Sequence, residues 1–170
     1  MHHVAIATAL ALSFIACGPP SGNDAGYPDA GSAEPSLEIG TGEGLYRPFA
    51  DGETLDLVTG CQGSQHVWVA LRTEGLDRRG PIIDVQLVRA EDDVVVSQTF
   101  VVRITFQPVE GEIYGELVGL TVVVPEPDQA IGHDLILRAT VTDMNDIEVS
   151  AERPVRIDWG EGGCGEPLPG

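Results

Sequence analysis

"QHVWVALRT", residues 65–73, decides the fold. Val67, Val69 and Leu71 alternate with His66, Trp68, Ala70 and Arg72, a period of two that places one set on each face of a strand. "TFVVRITF" (99–106) repeats the pattern, setting Phe100, Val102, Ile104 and Phe106 against Thr99, Val101, Arg103 and Thr105. "HDLILRATVTD" (133–143) lines Leu135, Leu137, Ala139 and Val141 along one side. No stretch of comparable length carries an amphipathic helical stripe. Between the alternating runs stand turn residues: Asp51-Gly52, "LDRRGP" (76–81), "EDD" (91–93), "QPVEGE" (107–112), "PEPDQAIG" (125–132) and "DMND" (143–146).

The pattern predicts strands near 37–39, 44–49, 53–59, 65–73, 82–90, 94–106, 112–124, 133–142 and 147–158. Eight or nine antiparallel strands without helices imply two packed sheets, an all-β, Ig-like antiparallel β-sandwich. A small closed β-barrel is the alternative, because turn spacing does not separate the two. Pro154, inside "ERPVRIDW" (152–159), predicts an edge position or a bulge in the last strand.

The chain has 170 residues, room for one domain of ordinary size, with 27 Asp and Glu against nine basic residues, all Arg, and a net charge of −18. Such a surface repels phosphate backbones and anionic headgroups, which argues against nucleic-acid partners and polybasic membrane docking.

At the N-terminus, "VAIATALALSFI" (4–15) is an uncharged apolar run of signal-peptide length, too short to span a bilayer comfortably, and Ala16 and Cys17 follow it. The stretch resembles the lipobox of bacterial lipoproteins, with Phe14 where Leu is usual. The resemblance implies a signal peptide over 1–16 and a diacylated Cys17 at the mature N-terminus. It also implies an envelope location held to the lipid bilayer by acyl chains, with Gly18 rather than Asp pointing to the outer membrane. The rest of 17–36, "GPPSGNDAGYPDAGSAEPS", holds no aliphatic residue larger than Ala and reads as a disordered leash, about 60 Å long when fully extended. The sandwich is expected over 37–159, and a Gly-rich tail over 160–170.

"LEIGTGEGLYRPFADGETLDLVTGCQGSQHVWVALR" (37–72) resembles the opening of a group of uncharacterised myxobacterial-type lipoproteins, which carry a GTGE start, an aspartate-glycine hairpin and a G-x-Q-G-x-x-H-V-W segment. That group usually has Pro at the position of Cys61, and it brings no activity with it.

With one of the three cysteines given to lipid, Cys61 and Cys164 remain as a pair in an oxidising compartment. A bridge between them closes a loop of about a hundred residues, worth on the order of 4–5 kcal/mol, and would staple the tail. Free thiols or metal ligation are the alternatives.

The remaining chemistry-bearing residues form no standard site. A blue-copper set would need a Cys, a His and a Met close together late in the chain, but no His or Met follows Cys164, and Met144 stands apart from His66 and His133. Zinc-type spacings and a G-x-S-x-G elbow are also missing. His66, Trp68 and Arg72 share one strand face and are a candidate binding patch, against the plainer reading of a Trp packed under a loop. Asp143, Asn145 and Asp146 have calcium-type oxygens, against a self-bonded Asx turn. Glu91, Asp92 and Asp93 read as a solvated turn, and Arg78 and Arg79 as loop residues easing local repulsion.

The expected function is therefore an envelope-anchored lipoprotein with a non-catalytic interaction or structural module, without cofactor, facing an unidentified envelope protein or glycan. The alternative is a calcium-assisted or carbohydrate-binding accessory domain of the cell surface.

Overall fold

The computed structural model describes residues 34–163. Nine strands follow one another: β1 (Ser36–Gly40), β2 (Glu53–Thr59), β3 (Gln65–Glu74), β4 (Ile82–Arg89), β5 (Phe100–Arg103), β6 (Gln107–Pro108), β7 (Gly115–Val123), β8 (Leu135–Thr142) and β9 (Glu148–Gly163). A single 3-10 turn, Pro127–Gln129, precedes β8 where no helix was expected. Among the described residues no helix is long and apolar enough to cross a membrane.

The sheet runs β5-β4-β8-β9-β2-β3-β7-β6, with β1 joined to β3. β3 carries β7 along one side; on the other, its start pairs with β2 and its end with β1. The chain's first strand region is thus divided between two layers, β1-β3-β7-β6 and β2-β9-β8-β4-β5, an adjacency of the immunoglobulin type. One expectation is corrected here. β2 and β9 pair parallel, Glu53 beside Val155 through Leu57 beside Trp159, while every other pairing is antiparallel. Hairpin turns join only sequence neighbours, so a partner so distant in sequence leaves no local trace. The sheet is open, with β5 and β6 at its two ends, so the barrel alternative does not hold.

A single core joins the layers. Val67, Val69, Leu71, Leu117, Leu120 and Val122 face Ile83, Val85, Leu87, Leu135, Leu137, Ala139 and Val141 within one apolar cluster. Full burial of such side chains contributes about 1.5–3 kcal/mol each before entropy is set against it.

The outer face of β3 is less open than its alternation suggests, since Ala70 is wholly buried and His66 nearly so. Part of the cover is "TGEGLYRPF" (41–49), a folded-over loop whose second half, 44–49, was expected to be a strand. Thr41 and Arg47 exchange N–H···O bonds of 2.8 Å, and Thr41 Oγ1 donates to Trp68 O at 2.6 Å. Gly119 N donates to Gly42 O. The chain reverses instead of extending because Gly42 has φ +128°, and any Cβ there would lie 2.0 Å from Leu45 O.

The expected 94–106 strand is also divided. Val94 and Val96 bond to β4, Arg89 N donating to Val94 O and Val96 N to Leu87 O. Then Ser97 Oγ accepts Leu87 N in place of a backbone carbonyl, and Gln98 N turns to donate to Val123 O in the other layer. β5 resumes on β4 only at Phe100. Pro154 fits because its carbonyl accepts Gly52 N on the β2 side. In an extended strand a residue's nitrogen points the same way as its carbonyl, so the unbroken β8–β9 ladder loses no donor. β9 also runs past the expected boundary at 159, with Gly163 beside Thr59.

These pairings define two poles. β1 begins beside the end of β3, Ser36 opposite Glu74, so the chain enters at the pole built by the 75–81 and 143–147 connections. The connections 60–64, 90–99 and 124–134, with the end of β9, form the other.

Candidate functional site

The structure brings together two of the three residues of the expected patch. His66 and Trp68 meet edge to face, with ring centroids 4.7 Å apart. His66 is 6% exposed and its Nε2 has no hydrogen-bond partner among the described residues. Arg72 is engaged elsewhere. Its guanidinium lies between the Tyr46 and Tyr114 rings, 4.1 Å from each centroid, and reaches Glu116 Oε1 at 2.7 Å and Glu38 Oε2 at 3.6 Å. Burial alone would lower the Arg72 pKa, but the Glu116 hydrogen bond and the neighbouring Tyr114, Glu116 and Tyr46 raise it above the usual guanidinium value. Burial, then the Glu38 carboxylate, push the Tyr46 hydroxyl up. Arg72, Tyr46 and Tyr114 therefore form a stacked clamp, with Glu116 and Glu38 at the guanidinium, that holds the 41–49 loop on β3 beside a packed His–Trp pair.

Asp143 is 5% exposed, and its carboxylate faces inward. Oδ1 accepts Asn145 N at 2.7 Å and Ile147 N at 3.0 Å, while Oδ2 accepts Asp77 N at 3.0 Å from across the pole. The three residues singled out for calcium thus form an Asx turn, with Asp146 at φ +60° closing it. Among the described residues no group of three or more His, Cys, Asp or Glu could hold a metal ion. Arg78, expected as a loop residue easing local repulsion, is 7% exposed and donates to Tyr114 O, with its aliphatic chain against Gly115. Arg79 chelates Asp77 through Nε and Nη2.

Cys61 is disulfide-bonded. Its expected partner Cys164 lies outside the described residues, as does the expected lipidation site Cys17. The nearest described neighbour in sequence, Gly163, sits beside Thr59, two positions before Cys61.

A feature not anticipated from the sequence lies at the pole away from the chain's entry. A groove of about 410 Å³ runs between the 94–97 segment and Pro125, Glu126 and Gln129. Val94 and Val95 are 44% and 45% exposed on its lip. Val95 bridges Val88 in the wide form of the antiparallel pair, in which the flanking residues make the bonds to β4. The N–H and C=O of Val95 therefore point away from β4, and among the described residues no bond to either is present. The run "VVVS" (94–97), directly after the acidic "EDD", was the available signal; read as one long strand, it lost the break at Ser97, which lines the groove.

The turn beside the groove is strongly acidic. Arg89 pairs with Glu91 and Asp92, and His133 Nδ1 lies 3.4 Å from Glu91 Oε1. The Arg89 hydrogen bond is the main cause holding the Asp92 carboxyl below its ordinary range. Glu126, on the facing lip, has no ion-pair partner among the described residues.

The chain matches no protein-family model, no curated protein and no solved structure.

Proposed function

We propose that this chain is an envelope-anchored lipoprotein whose non-catalytic sandwich presents the pole opposite its leash to another envelope component, a protein or a glycan. The observation that carries the reading is the pairing of Ser36 with Glu74. It brings the chain from the expected leash in at one pole and leaves the 60–64, 90–99 and 124–134 connections at the other. The lipobox-like run ending at Cys17 supports the anchor, and the acidic charge supports a partner other than nucleic acid. The stacked Arg72 and the saturated Asp143 already serve the fold, which moves the candidate contact surface from the expected patch to the far pole. The calcium-assisted alternative loses its central ligand to the Asx turn.

Metabolic labelling with an alkynyl fatty acid tests the anchor. Label is expected on the wild-type chain and none on Cys17→Ala, which should leave the membrane fraction. Photo-crosslinkers placed at Gln129 and at Met144 test the presentation, with a discrete adduct expected from the first site only. Unlabelled wild type, or adducts from Met144 alone, would overturn the reading.

A further inference from the structure

The geometry points to a peptide-binding site in the groove at the far pole: an extended, cationic-apolar segment adds as a strand along Val95. The proposal rests on the reading above for which pole is presented, and it names the chemistry of the partner.

Three independent observations converge on it. First, Val95 offers one N–H and one C=O on the groove side while its neighbours Val94 and Val96 are held to β4. A strand laid beside it gains two main-chain bonds, and the sheet extends by one strand past its 94–96 edge. Second, Val94, Val95, Val96 and Pro125 line the groove together with Ser97, Glu126 and Gln129, so it offers apolar contact to one side chain of such a strand with polar groups beside it. Its far end is closed where Gln98 crosses to Val123, so an entering segment runs along 94–96 and no further. Third, the charge around it is mainly acidic: Arg89, whose Nη1 donates to Gln129 Oε1 at 3.4 Å, is itself already paired with Glu91 and Asp92. Glu126 lines the groove with no ion-pair partner among the described residues, and exposed Asp93 and Asp128 lie close in sequence to the lining residues Val94 and Gln129. On a chain of net charge −18 this selects basic residues in the partner and speeds their approach. It also disfavours a second copy of the same chain, which would bring its own acidic lips to the contact.

The test uses the purified full chain and a blocked pentapeptide of alternating valine and arginine. Binding is followed by fluorescence polarisation and by amide chemical shifts. Its counterpart of alternating valine and glutamate is expected not to bind. Two further versions carry N-methyl groups, one on all valines and one on all arginines. Valine and arginine amides lie on opposite edges of an extended strand, so one version should bind as before and the other should weaken by about fivefold or more. Val95→Pro removes the outward donor without touching the bonds to β4, and should weaken binding by a similar factor. Glu126→Gln should weaken it about two- to fivefold, an effect lost at high salt.

Shifts confined to 94–97 and 125–129, with one N-methyl version silenced, support the site. Equal binding of both N-methyl versions means charge adsorption only, and overturns it. Self-association abolished by Val95→Pro, without peptide binding, overturns it in favour of a second copy. Selective binding of a glycan with no response to the peptide also overturns it. Because N-methyl discrimination is read on the unaltered protein, a Val95→Pro chain that fails to fold leaves the test intact. Titrating Cys17→Ala alongside keeps the questions separate: a failed anchor shows in fractionation, a failed site only here.

Discussion

Replacing Asp143 by Ala removes one carboxylate from three backbone donors at once. Asn145 N and Ile147 N belong to the exposed turn, where water replaces the lost acceptor at small cost. Asp77 N is different, because its bond to Oδ2 ties the 75–81 connection to the 143–147 turn across 66 residues. A hydrogen bond to a charged acceptor contributes about 1.5–3 kcal/mol, and the two turn bonds add about 0.5 kcal/mol each, so the substitution should cost about 3 kcal/mol. For a domain of this size that is a fall of about 10 °C in the melting midpoint. Burial by itself would raise the Asp143 pKa, but the backbone donors Asp77, Ile147 and Asn145 outweigh it and hold the carboxyl below its ordinary value. A depressed folded-state pKa means the stabilisation is complete above the unfolded value near 3.9 and is lost as pH falls through the folded one. Urea denaturation of wild type and Asp143→Asn from pH 7 downward should therefore show a stability gap that is constant above about pH 5 and narrows below about pH 4. The lowered Asp77, Glu53 and Asp92 are common to both chains and cancel in the difference. A loss below about 1 kcal/mol for Asp143→Ala would refute this account. So would calcium raising the midpoint of wild type but not of the variant.

Arg72→Lys keeps the charge but not the flat surface stacked on Tyr46 and Tyr114, and should lose about 1–2 kcal/mol in urea denaturation. If Lys matches Arg, ion pairing rather than stacking holds the clamp. His66→Phe should be neutral within about 0.5 kcal/mol or stabilising, since Nε2 is buried without a partner among the described residues; a clear loss would reveal a bond to that nitrogen. A non-reducing digest should recover Cys61 joined to Cys164, and reduction should lower stability by on the order of 4–5 kcal/mol. Recovery of Cys61 joined to Cys17 would remove both the anchor and the staple.

Much of the sandwich was legible because its inner face obeys a local rule. Val67, Val69 and Leu71, and Leu135, Leu137 and Ala139, alternate as the pleat demands and are buried in one core. The sequence misled where a residue's partner lies far away or where a side chain substitutes for backbone. Nothing near Glu53 announces that β2 will run parallel to β9. Ser97 looks like any polar residue in a strand until its hydroxyl is found accepting Leu87 N, and the same residue lines the groove. The patch of His66, Trp68 and Arg72 was legible as a shared strand face, but the loop that brings Tyr46 onto Arg72 was not. Glycines at 40, 42 and 44 gave the local sign that 41–49 would not extend, while the apolar Leu45, Tyr46 and Phe49 suggested a strand.

The parallel pairing of β2 with β9 has a mechanical side. Under the anchoring proposed above, a pull on the chain ahead of β1, resisted by a grip on the end of β9, would draw β2 and the end of β9 in opposite directions along their length. Their cross-strand bonds, from Glu53 beside Val155 to Leu57 beside Trp159, then share the tension together instead of peeling apart one after another. β1 is loaded against β3 in the same sense from Ser36 onward. The arrangement suits a domain that stays folded when it is pulled between those two points.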